Sequence, residues 1–81
     1  MNEDDESNAW GAFEKAAPNL CYITRTRELL ANLISKAGDL DDLADEMARA
    51  MRDSENIPFK ADLKILKQKL DDVKRRLTQE G

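Results

Sequence analysis

LDDLADEMARAMRDSENIPFKADLKILKQKLDDVKRRL, residues 40–77, holds two apolar repeats in heptad spacing on either side of a turn. Leu40, Leu43, Met47 and Ala50 recur at steps of three, four and three. Leu63, Leu66, Leu70, Val73 and Leu77 recur at three, four, three and four. Such spacing is that of two coiled-coil seams. Folded antiparallel about Ile57 and Pro58, the repeats set Leu40 against Val73, Leu43 against Leu70, Met47 against Leu66 and Ala50 against Leu63. The same register brings Asp39 to Arg76 and Glu46 to Lys69, so seam and flank agree on one helical hairpin. Two copies of the last helix in parallel would oppose like charges, which disfavours that mode of self-pairing.

Outward from the hairpin, Gly38 is placed to end a preceding helix in a left-handed cap, and Asp39 to start the next as its N-cap. Pro58 cannot continue a helix but is tolerated at the start of one. The pattern from Asn19 to Ala37 is helical. Its main apolar stripe is Leu20, Ile23, Leu30, Ile34 and Ala37, with Arg27 inside it. Arg27 reads either as a side chain whose head reaches Asp45 or Glu46, or as an interface anchor. Further upstream, Ser7 or Asn8 caps a short helix carrying Trp10 and Phe13, weakened by Gly11, and Pro18 breaks the chain after it. Residues 1–7, with four consecutive acids, read as a mobile acidic tail.

The expected fold is therefore all-α. An antiparallel, coiled-coil-like hairpin is joined by a preceding helix, as a three-helix bundle or as half of a helical-bundle dimer. A single helical domain spans residues 8–81, with helices at about 9–17, 19–37, 39–53 and 59–79.

At 81 residues the chain buries little surface, and one cysteine cannot make an internal disulfide. With no histidine, a zinc site would have to be built from Cys21 and carboxylates, a poor structural set. No metal and no cofactor is expected. Cys21 reads as a small buried apolar residue, and as a reactive thiol only if a helix N-terminus or a base lies beside it. No apolar run approaches a membrane span, and the acidic N-terminus is unlike a basic targeting signal, so a cytoplasmic protein without membrane contact is expected.

The net charge of −4 is unevenly spread. Residues 1–59 hold 13 acidic and 6 basic side chains, whereas residues 60–81 hold 4 and 7. Lys60, Lys64, Lys67, Lys69, Lys74, Arg75 and Arg76 invite a nucleic-acid reading, weakened by the overall acidity and by the lack of stacking aromatics on that helix. Catalysis lacks parts: there is no glycine-rich phosphate loop, no HExxH, no CxxC and no complete calcium loop. No small-molecule substrate is expected.

What remains unassigned is a second stripe on the helix at 19–37, made of Tyr22, Leu29 and Leu33. Either Trp10 and Phe13 fold over it, or it meets another chain. The functional expectation is a non-catalytic protein-binding module: a small adaptor, chaperone or inhibitor that contacts a partner protein or a second copy through Tyr22, Leu29 and Leu33, with Trp10, Phe13 and Arg27 beside them. Nucleic-acid binding through the basic last helix is the alternative. Ile65 points away from the seam, among charges.

Overall fold

The computed structural model describes residues 1–80; Gly81 lies outside them. Among the described residues the chain forms α1 (Glu3–Ala16), a 3-10 turn (Ala17–Asn19), α2 (Ile23–Lys36), α3 (Leu40–Asp53) and α4 (Ile57–Glu80). The architecture is all-α, a helical bundle, and the hairpin read from residues 40–77 is α3 with α4.

The acidic stretch expected as a tail is instead the first turn of α1. Asn2 caps it, its Oδ1 accepting the Asp5 N–H at 2.7 Å. Glu3, Asp4, Asp5 and Glu6 then sit where the helix dipole favours negative charge. That turn gives α1 length enough to bury Ala9, Ala12, Phe13 and Ala16. The most extensive helix–helix contact in the molecule is between α1 and α4, so the N-terminal segment is a full member of the bundle. All four expected helices are present, and α1 packs as one of the bundle's helices instead of lying beside a three-helix core.

The chain breaks at Pro18, as expected, but α2 starts at Ile23, later than Asn19. At the other end of α2 no left-handed glycine is present: none of the described glycines has a positive φ, and Ala37 leaves the helix in an extended conformation (φ −78°, ψ 143°). Gly38 serves instead through its N–H, which donates to the Asp42 carboxylate at 3.2 Å. Asp39 Oδ1 accepts the Asp42 N–H at 2.8 Å, so it is the N-cap of α3. Asn56 starts α4 in the same manner, accepting the Phe59 N–H at 3.1 Å with Pro58 in the first turn.

Leu40, Leu43 and Met47 of α3 and Phe59, Leu63, Leu66, Leu70 and Val73 of α4 are all buried. Leu77, expected in the seam, is 41% exposed. The register explains it: α3 begins at Leu40, opposite Val73, and the last turns of α4 overhang it.

The flanking charges pair differently from expectation. Neither Asp39–Arg76 nor Glu46–Lys69 forms among the described residues; Glu46 bonds Arg49 on its own helix at 3.1 Å. The α3–α4 pair is Asp41–Lys74, at 2.7 Å. Asp41 stands two residues after Asp39 and Lys74 two before Arg76, so the antiparallel register is retained and the opposite flank of the hairpin is used. Over Asp62–Lys69 the expected flank of α4 is turned into the bundle instead, while Arg76 beyond it is exposed. There Asp62 is buried, Lys69 is half-buried, and Ile65 packs on the core rather than pointing away from it.

The hydrogen bond to Asp41 holds the Lys74 ammonium above its ordinary pKa; partial burial opposes this, and the nearby charges of Asp41, Asp71 and Asp45 assist it. A raised lysine pKa contributes stability that is present below the ordinary value, about 10.4, and is lost as pH rises through the folded value. Asp41 is 80% exposed. A double-mutant cycle on Asp41→Asn and Lys74→Met should therefore return a coupling of only about 0.2–1 kcal/mol at neutral pH. It should fade above pH ~10.4, as read by urea denaturation. A larger coupling between Glu46 and Lys69 would contradict this choice of flank.

Candidate binding groove between the last two helices

Lys60, Lys64, Lys67 and Asp71 are spaced four, three and four residues apart, which places them on one face of α4. Ala48, Met51 and Arg52, three and four residues apart from the first, form the matching face of α3. Together with Gln68 these residues line an open groove of about 640 Å³ between the two helices. Ala48 and Met51 are half-buried and form its floor; Arg52, Lys60 and Lys64 are exposed along its rim. Lys67 Nζ donates to Asp71 Oδ2 at 3.1 Å. Arg52, Lys60 and Lys64 make no ion pair among the described residues. The groove is thus an apolar strip with one neutralised end and one cationic end.

The residues expected to meet a partner are dispersed by the structure. Phe13 (4% exposed) and Leu33 (6%) belong to the core, which removes them from any free surface. Trp10 is half-buried and edge-on to Phe13, with centroids 5.8 Å apart at 82°. Leu29 is half-buried and packs on the core, while Tyr22 is 40% exposed. Arg27 reaches neither Asp45 nor Glu46; its guanidinium lies over the Phe13 ring, 5.6 Å from the centroid. Phe13 meets α2 through Arg27, and it shares one core with Leu33 while Tyr22 stays at the surface. Of the two coverings open to that stripe, the intramolecular one holds for Leu33.

Cys21 is exposed, against the expectation of burial. Its backbone is what is held. Asp62, 1% exposed, accepts the Cys21 N–H at 2.9 Å through Oδ1 and at 3.1 Å through Oδ2, and the Tyr22 N–H at 2.7 Å through Oδ2. A carboxylate of α4 therefore fixes the entry into α2, which has no side-chain cap of its own. From heptad position alone Asp62 resembles any solvated flanking acid, and nothing local to it in the sequence signals this role.

Fold and groove together define a small all-helical bundle carrying a cationic, apolar-floored cleft. The chain belongs to the MJ1579 family, whose profile matches residues 12–75. That span includes α2, α3, Asp62 and every residue lining the groove. No curated protein and no solved structure matches the chain. Among the described residues, no helix is long and apolar enough to cross a membrane.

Proposed function

We propose that the protein is a non-catalytic binding module for another protein, a small adaptor, chaperone or inhibitor, with the α3–α4 groove as its docking surface. The observation that carries this reading is the half-buried strip of Ala48 and Met51, left open between two helices and rimmed by cations that form no ion pair among the described residues. Apolar surface of this kind, bordered by charge, is typical of interaction sites. The reading moves the contact surface from the second stripe of α2 to the opposite side of the hairpin from the buried flank of α4. A cytoplasmic setting accords with the single, exposed cysteine.

The test is a photo-crosslinking side chain at Gln68, compared with the same group at Glu28 on the exposed face of α2, in extract of the host cell. Protein adducts at Gln68 that are mapped by mass spectrometry to the groove, competed by unmodified protein and absent from the Glu28 variant are the expected result. Adducts with nucleic acid alone would replace this reading with the alternative carried by Lys60, Lys64 and Lys67.

A further inference from the structure

Resting on that reading, we propose that the occupant of the groove is a single amphipathic helix of a partner protein, about three turns long and acidic along one flank. The length follows from the lining: from Lys60 to Asp71 is eleven residue steps along α4, about 16 Å at 1.5 Å per residue.

Helical form follows from backbone chemistry. An extended peptide binds by sharing main-chain hydrogen bonds with an exposed sheet edge. Here both walls are helices whose N–H and C=O groups are spent internally, so only side chains can be offered to a guest. Side chains of two neighbouring helices form ridges that a third helix fills. Ala48 leaves a dent in the floor, and Met51 is a flexible side chain that repacks around an incoming knob.

The acidic flank follows from charge. Lys67 is matched by Asp71 at one end of the cleft, while Arg52, Lys60 and Lys64 at the other are unmatched among the described residues. Carboxylates of the guest therefore lie beside Lys60 and Lys64, and its other end is neutral or basic beside Asp71.

A second copy of the chain does not supply such a helix. The acidic first turn of α1 belongs to a helix whose apolar face, Ala9, Ala12, Phe13 and Ala16, is buried in its own bundle. The large apolar residues of α3 are likewise buried or already line the groove, which leaves only the small, half-buried Ala50. Duplex nucleic acid would bridge the rim and leave the apolar floor uncovered.

The probe is a displayed library of random 14-residue peptides, selected on the full-length protein. The expected winners carry apolar residues at helical spacing of three and four, with Asp or Glu on one flank. Their affinity, read by fluorescence anisotropy, falls at least tenfold for the folded Lys60→Glu/Lys64→Glu variant and again when a proline is placed mid-peptide. Circular dichroism of the variant establishes that it is folded. Winners that tolerate the proline, that are basic, or that bind the charge-reversed variant equally overturn the proposal, as does a selection without winners. A DNA or RNA duplex that displaces the winners, or a dimer of the protein itself that Lys64→Glu dissociates, also overturns it. Should the helix fail while protein adducts at Gln68 persist, the binding module stands and only its guest has been misassigned. Failure of both removes both.

Discussion

Phe13→Ala is expected to lower the free energy of unfolding by about 3–5 kcal/mol, the cost of emptying a buried aromatic site. The ring is 4% exposed, lies edge-on to Trp10 and supports the Arg27 guanidinium on its face. Edge-to-face pairing contributes roughly 0.5–1.5 kcal/mol beyond area burial, and an exposed cation–π contact roughly 0.5–1 kcal/mol. Domains of this size sit near the low end of a total of about 5–15 kcal/mol. The substitution therefore removes a large share of what holds the bundle together. Urea denaturation followed by circular dichroism should show a much lower midpoint, and Trp10→Ala, at a half-buried position, a smaller drop. A Phe13→Ala protein of unchanged stability would return Phe13 to the list of contact residues, and with it the idea that α1 is an accessory to binding.

The second large effect is expected at Asp62. Asp62→Ala leaves the Cys21 and Tyr22 N–H groups facing an apolar side chain. Orphaning a buried donor costs about 1–3 kcal/mol; these two hydrogen bonds are part-buried, so the lower part of that range applies to each and a loss of about 2–4 kcal/mol for the pair is expected. Asp62→Asn, which keeps one acceptor oxygen, should lose roughly half of that. The effect has a local signature: amide hydrogen exchange at residues 21–26 should accelerate more than exchange in the α3–α4 seam, since the start of α2 is released first. A loss below about 0.5 kcal/mol, the range of an ordinary surface substitution, would mean that water replaces the carboxylate without penalty.

The seam and its register were legible because they depend only on spacing within residues 40–77. Asp39 as a cap and Pro58 in a first turn were legible for the same reason, being local chemistry. The flank was not. Which side of α4 carries free charge depends on where α1 lies, and a pairwise ladder between α3 and α4 contains no information about a third neighbour. The start of α1 was misread because four consecutive acids suit a solvated tail and a first helical turn equally well. The feature separating them is Asn2, whose side chain caps the turn. Asp62 was illegible for a deeper reason, since its partners lie 41 and 40 residues away. The groove was half legible: Ala44, Ala48 and Met51 broaden the apolar face of α3 enough for a second neighbour, yet the structure buries Ala44 and leaves the other two open.

The separation of α1 from its principal neighbour has a kinetic meaning. The α3–α4 hairpin closes over the three residues Ser54–Asn56, whereas α1 reaches α4 only across the forty residues from Ala17 to Asn56. Closure entropy grows as the logarithm of loop length, which makes the second event costlier by about 2 kcal/mol. Local pairings with little sequence separation are the faster to form. The hairpin is accordingly the early folding unit, and α1 and the Asp62 tie are late arrivals. The groove is built wholly from the early unit, and loosening of α1 need not disturb it.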